Sequence, residues 1–480
     1  MSLSDNADPK VASSTPHARP AATAPEPGKA RRRRALTRVL AALAVVVTVA
    51  AVGALVLQIA AVTNPRTGIL TAPEAYPPAT PDPVLDGPNP DAPLPDLASM
   101  LPALLEDERL NGTVSASFAD ALTGEVLFEQ LGDQPLAPAS SMKVVTAVAA
   151  FEHLGAEYRI PTTVVEGATE DSVVLVGGGD VTLTIDGEGY YDDHAAGASL
   201  AELAEAVLEA RGGDAPATVV LDTSLFTDNV KAEGAVAADL IQSTAPMAPI
   251  MVDGGRKNNT LKYSDHYSDP AMVAAESFAD LLGADEVTEG TAEEGAEALA
   301  TVYSAPVAAL ADSFLLTSDN LLADAVSLQT GLVVEGTMTW AAMSTAHLST
   351  LEELGVDTTG LVFNDGSGLS LTDRMTANAF TGLLLGSFDA EASSVFESLP
   401  VAGYSGTLRG RFKSTDDGDG MVRAKTGTLN DVKVISLTGT LTTLDGRQII
   451  FSLISNQHTG EETVEDAMDE ISAAVSQCGC

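Results

Sequence analysis

Cysteine is nearly absent: the 480 residues contain two, Cys478 and Cys480, one position apart at the C-terminal end. A lone Cys-Gly-Cys can close a small strained ring or leave two thiols. It cannot build a disulfide framework or a zinc set, so neither carries the fold. Aromatic residues are scarce as well, 4% of the chain with a single Trp, and the core must be filled by Ala, Val and Leu. The six histidines, His17, His153, His194, His266, His347 and His458, follow no metal-ligand spacing and read as structural or surface residues. Basic residues are few, 25 Lys and Arg against 67 Asp and Glu, a net charge of −42. Eight of the 25 lie within the first 62 positions, and the rest of the chain carries 17 basic and 64 acidic residues. Such a surface repels polyanions, which excludes nucleic acid as a partner; its plain role is solubility or life in salt. Gly177-Gly178-Gly179-Asp180 lacks the Gly-Lys-Ser/Thr of a phosphate loop and reads as a turn. The acidic stretch Glu286 to Glu297 reads as solvated helix or loop rather than a calcium site. No metal and no cofactor is called for.

What the chain does have begins with one long apolar run. Val39 to Val62 spans 24 uncharged residues with Gln58 as the most polar. As a helix it would reach about 36 Å, enough to cross a bilayer. Arg31 to Arg34 and Arg38 precede it, and positive residues stay on the cytoplasmic side. The apolar core is longer than that of a cleaved signal peptide, which favours an uncleaved anchor with residues 63–480 outside the cytoplasm. Residues 1–38 then form a disordered cytoplasmic tail. Residues 63–97, with ten prolines between Pro65 and Pro95, form an extended stalk.

Globular patterning starts at Ala98. Met100 to Leu110 reads as helix, and Thr113 to Phe118 with Glu125 to Gln130 as two strands around Leu122-Thr123-Gly124. The apolar run from Ser140 to Leu154 suits a buried helix with Ser140 in its first turn. Residues 159–299 change texture: short β-rich pieces (Thr162 to Val165, Ser172 to Val176, Thr218 to Asp222) alternate with acidic stretches read as helical, Leu200 to Arg211 and Ala292 to Tyr303. This region parses as an insertion splitting a domain formed by residues 98–158 and 300–480. Met421 to Lys425, Lys433 to Leu441 and Gln448 to Asn456 read as strands, and Glu461 to Gln477 as a closing amphipathic helix. The fold class is α/β of the α+β kind, an antiparallel sheet flanked by helices with an inserted accessory α/β region.

Three strings carry chemistry: Ser140-Ser141-Met142-Lys143, Ser318-Asp319-Asn320 and Lys425-Thr426-Gly427-Thr428. A serine hydroxyl needs a base within hydrogen-bond reach to act as a nucleophile. A lysine three positions later on a helix lies one turn away on the same face, and it can accept a proton provided that burial or a neighbouring cation keeps it neutral part of the time. Lys425 is a candidate neighbour. A cation followed by small hydroxylated residues on a strand leaves room for a peptide along the strand edge. Each string alone is a common helix, cap or strand pattern; the conjunction in this order is specific.

On these motifs the chain resembles penicillin-binding proteins of the D-alanyl-D-alanine carboxypeptidase class, specifically the peptidase S13 group with a large insertion after the nucleophile helix. The 178 positions between Ser140 and Ser318, and 107 from there to Lys425, match that subgroup. So do Gly178-Gly179-Asp180, Asp365-Gly366-Ser367-Gly368-Leu369-Ser370 and Gly406-Thr407-Leu408-Arg409. Ser141 stands where the family often has Asn and Val181 where Pro is usual, and the insertion is shorter than in the fullest members. The resemblance implies a serine carboxypeptidase, with cross-link cleavage left open, acting on peptidoglycan stem peptides and trapped covalently by β-lactams. It implies Ser140 as nucleophile, Lys143 as base, Ser318 and Lys425 as proton relay and Asn320 on the substrate amide. Thr426, Gly427 and Thr428 would form the substrate-binding strand, and the backbone N–H groups of Ser140 and Thr428 an oxyanion hole. A non-catalytic wall-binding or β-lactam-sensing homologue, or a β-lactamase or esterase, are the alternatives. Oligomeric state is not legible.

Overall fold

The computed structural model describes residues 89–191, 195–234, 243–388, 390–413 and 418–479. The expected tail, membrane segment and most of the stalk lie outside the described residues, among which no helix is long and apolar enough to cross a membrane.

In chain order, helix α1 (Leu97–Leu105) precedes strands β1 (Thr113–Asp120) and β2 (Val126–Gln130). Asp96 caps α1 by accepting the Ser99 N–H at 3.1 Å, which starts the helix three residues before the expected Met100; it also stops short of Leu110. A 3-10 turn, Ala139–Ser141, runs into α2 (Met142–His153). Next come β3 (Pro161–Glu166), β4 (Ser172–Val176), β5 (Asp180–Leu183), α3 (Leu200–Ala210), β6 (Thr218–Asp222), β7 (Ile250–Val252), α4 (Pro270–Leu282), β8 (Glu286–Glu289) and β9 (Ala298–Tyr303). Helices α5 (Val307–Thr317), α6 (Asn320–Glu335), α7 (Trp340–Glu353), α8 (Ala377–Gly386) and the single turn α9 (Val395–Ser398) follow. The chain ends with β10 (Val422–Leu429), β11 (Val434–Thr442), β12 (Gln448–Asn456) and α10 (Glu461–Ser476).

The main sheet is antiparallel in the order β10-β11-β12-β1-β2, so the last three strands pair with the first two across most of the sequence. Strand β12 is buried on both faces, which is why its sequence, Ile449 to Ile454, is nearly all apolar. Alternation sorts its side chains. Ile450 and Ile454 join the cluster holding Phe380, Leu383 and Leu384 of α8 with the Val-rich side of α2. Ile449, Phe451 and Leu453 join the cluster with Leu97 and Leu101 of α1 and Val464, Met468 and Ile471 of α10. Helices thus cover both faces of an antiparallel sheet, the expected class.

Residues 161–303 hold a second five-stranded sheet, β8-β6-β4-β3-β9, and a parallel pair, β5 with β7. Strands β4, β6 and β8 run parallel, and α3 and α4 bury Leu203, Val207, Ala274 and Phe278 against Val173, Leu175, Val219 and Leu221. Two expectations fail here. The stretch Ala292 to Tyr303, expected as helix, forms β9 from Ala298 on, antiparallel to β3, and Glu286 to Glu289 is the edge strand β8. The Ala and Glu content favours helix locally, but pairing of Thr301, Val302 and Tyr303 with β3, including Thr163 Oγ1 to Thr301 Oγ1 at 3.1 Å, decides the outcome.

Candidate active site

Ser140 sits in the 3-10 turn at the entrance to α2, half-buried. Ala139 before it has φ +49, a left-handed conformation uncommon for a residue with a Cβ. The turn is pinned to the main sheet by hydroxyls: Ser436 Oγ of β11 donates to Pro138 O at 2.6 Å, leaving its lone pair for Ser141 Oγ at 2.8 Å. Serine in place of the family's usual Asn therefore has a partner of its own.

Lys143 lies one turn into α2 and is fully buried. Its Nζ donates to Ser140 Oγ at 3.0 Å, to Asn320 Oδ1 at 2.7 Å and to Ser367 O at 2.7 Å. Burial pulls its pKa down from 10.5 to about 8, against the pull of Asp324, Asp365 and Asp319 and helped by Lys262. The Ser367 carbonyl is placed by a loop built around Asp365, whose carboxylate accepts the N–H groups of Ser367, Gly368 and Ser370 at 3.1, 2.6 and 2.7 Å. Gly368 has φ +80, and a Cβ there would lie 1.9 Å from Ala139 O. Burial beside Asp365 also holds the carboxyls of Asp324 and Asp373 well above the usual carboxylate range.

Ser318 connects α5 to α6 with φ 59 and ψ 41, and Asp319 caps α6 by accepting the Leu322 N–H at 2.9 Å. Lys425, fully buried on β10, donates Nζ to Ser318 Oγ at 3.1 Å and to Thr426 O at 2.8 Å. Burial, with Lys143 and Lys262 nearby, holds it well below the ordinary lysine range. Two adjacent buried ammoniums repel each other, so a proton is readily given up from this pair.

Strand β10 is an edge of the main sheet, open toward a cleft of about 590 Å³. Ser140, Ser318, Asn320, Thr426 and Thr428 line the cleft, and Lys143 and Lys425 reach it from behind through their hydrogen bonds to the two serines. Gly427 points elsewhere: a Cβ there would sit 2.2 Å from Ser436 Oγ and 2.8 Å from Pro138 O, so its lack of a side chain lets the turn that carries Ser140 close on β10. Thr426 Oγ1 donates to Thr407 Oγ1 at 2.8 Å. Thr428 Oγ1 donates to Glu465 Oε1 at 2.9 Å, so its hydroxyl proton is already committed to a carboxylate.

Among the cleft residues that the site motifs did not name, four are charged or aromatic. Lys262 and Tyr263 come from the segment after β7, Arg411 from the loop before β10, and Glu465 from α10. Arg411 is held by Asp469 at 2.7 and 2.9 Å, with Nη1 3.7 Å from Glu465. Arg411 follows the landmark at Gly406 to Arg409 by two positions and was within reach of a sequence signal; the other three have none. Of the histidines, His153 Nε2 meets Thr350 Oγ1 at 3.0 Å, and His347, buried against the Phe363 ring, has its pKa pulled down to about 3. Among the described residues no three His, Cys, Asp or Glu side chains converge as a metal set.

A helix-flanked antiparallel sheet that brings a serine onto a buried lysine has the layout of a serine hydrolase. The sequence profile of the D-Ala-D-Ala carboxypeptidase 3 (S13) family matches residues 97–273 and 256–476. The chain belongs to that family. It is 34% identical to carboxypeptidase DacB of Mycolicibacterium smegmatis, covering 95% of this chain and 99% of that protein. It is 35% identical to a carboxypeptidase of Mycobacterium tuberculosis over 77% of this chain and 81% of that one. Its fold matches that of penicillin-binding protein 4 from Haemophilus influenzae, with a TM-score of 0.66 at 19% identity over 79% of this chain and all of the other.

Proposed function

We propose that the protein is a membrane-anchored, extracytoplasmic serine D-Ala-D-Ala carboxypeptidase that acts on peptidoglycan stem peptides and binds β-lactams covalently. Carboxypeptidase activity follows from the family and from a relative of that name matched over 99% of its length. The observation that carries the mechanism is Lys143 Nζ at 3.0 Å from Ser140 Oγ, with a pKa brought down to about 8. Neutral Lys143 takes the Ser140 proton as Oγ attacks the carbonyl of the penultimate D-alanine. Backbone N–H groups of Ser140 and Thr428 would carry the oxyanion. The leaving amine takes a proton by way of Ser318 and Lys425, which are 3.1 Å apart. Water then releases the acyl group by the same route in reverse. The anchor rests on the apolar run Val39 to Val62 behind its arginines, and the side of the membrane on the charge rule.

The test is labelling with a fluorescent penicillin beside D-alanine release from a D-Ala-D-Ala peptide. The unaltered protein should do both and Ser140→Ala neither. Equal labelling of the two would remove Ser140 as the nucleophile.

A further inference from the structure

The Ser318 turn is gripped by residues 243–262, a stretch distant in sequence whose Ala245, Met247 and Met251 pack into the same core as α2, α5 and α6. Arg256, just after β7, is buried, with a side chain 4% exposed. Its Nη2 donates to Asp319 Oδ2 at 2.7 Å, its Nη1 to Tyr191 OH and Asp253 O at 3.1 Å each, and the guanidinium lies 3.7 Å above the Tyr190 ring centroid. The fork is thus fixed in plane and direction before it meets the carboxylate. The Lys262 ammonium donates to Thr317 O, and Asn320 Nδ2 donates to Ser243 O at 2.9 Å. Thr317, Asp319 and Asn320 are each held by residues between 243 and 262, while the Ser318 hydroxyl between them meets Lys425 Nζ.

Ser318 needs that hold. Its left-handed backbone is costly for a residue with a Cβ and persists only where the surroundings over-determine it. A buried ion pair adds little net stability over well-packed apolar groups, so stability alone gives no reason for a buried Arg256 and Asp319. The geometry it enforces does.

We propose that Arg256, seconded by Lys262, is a positioning residue for acyl transfer: by holding Asp319 it keeps the Ser318 hydroxyl on Lys425 and the Asn320 amide oxygen on Lys143. The inserted segment is then part of the catalytic machinery rather than only a recognition surface. The inference rests on the serine peptidase reading above.

Arg256→Met, Arg256→Lys and the charge-neutral pair Arg256→Met with Asp319→Asn are to be compared with the unaltered full-length protein. The measurements are the rate of labelling by a fluorescent penicillin, kcat and KM for D-alanine release, and Tm. Arg256→Met should label and turn over about ten- to hundredfold more slowly, the cost of a small misplacement near the reacting atoms. KM should change by less than about threefold, since the loss falls on steps after binding. Arg256→Lys should recover part of the rate, restoring the charge without the planar fork. The pair removes both buried charges, so it should keep a native Tm and remain slow, a result that a merely structural role does not produce. If Arg256→Met alone fails to fold, the pair and Arg256→Lys decide the matter. Unaltered rates in a folded pair, or a loss confined to KM, would overturn the proposal. No labelling of the unaltered protein would instead overturn the serine peptidase reading itself.

Discussion

The Lys143 nitrogen is surrounded by acceptors, an amide oxygen, a carbonyl and a hydroxyl, while burial outweighs the pull of Asp324, Asp365 and Asp319 on its proton and Lys262 pushes the same way as burial. Because its pKa is lowered, the neutral base becomes more populated as pH rises through about 8. The rate of acylation by penicillin should therefore climb across that window, and a profile flat from pH 6 to 9 would contradict Lys143 as the base. Lys262 pushes the same pKa down, so Lys262→Met should move the rising limb to higher pH and slow acylation at neutral pH. Glu465 is the other residue with a clear consequence. It holds the Thr428 hydroxyl that the family resemblance assigns to the substrate carboxylate, and it places a negative charge beside that site. Glu465→Gln keeps a hydrogen-bond acceptor and removes the charge. KM for a D-Ala-D-Ala peptide should fall about two- to fivefold with kcat unchanged, the size of a partly exposed charge interaction. An unchanged KM would place the carboxylate elsewhere.

At the scale of elements, the decisive contact is between β10 and the turn that carries Ser140. Gly427 allows it, since any side chain there would meet Ser436 Oγ and Pro138 O. Gly427→Ala should cost about 1–3 kcal/mol in chemical denaturation, as overpacking does. It should also slow penicillin labelling far more than an equal destabilisation elsewhere, because it parts Lys425 from the nucleophile. Elements with strong local signals were legible. The strands at Thr113, Ser172, Thr218 and Gln448 and the helices after Ser140, Leu200 and Glu461 lie where their residue patterns put them. Strand β9 was not, because its Ala-rich start favours helix and only its partner β3, more than a hundred residues earlier, makes it a strand.

At the scale of the whole molecule, the cleft is formed entirely by residues from Ser140 onward. A chain beginning at residue 63 should fractionate as a soluble protein and label with penicillin at the full-length rate, whereas the complete chain should sediment with membranes. Soluble full-length protein would remove the anchor. The acidic excess after position 62 lies on the part proposed to stand outside the cytoplasm, as expected for a solubilising surface.

The sequence by itself determined the three motifs, their order and the element under each, because a serine with a lysine at i+3, a capped helix start and a strand of small hydroxyls are local patterns. Through the spacing of those motifs it also pointed to the family. Only the tertiary structure decided that Arg256 holds Asp319, that Lys262 lies near both Lys143 and Lys425, and that Glu465 on the last helix meets Thr428. These partners lie between 37 and 63 positions apart in the two pairs with direct bonds. At such separations no periodicity links side chains, and packing of the insertion and of α10 around the cleft chooses them.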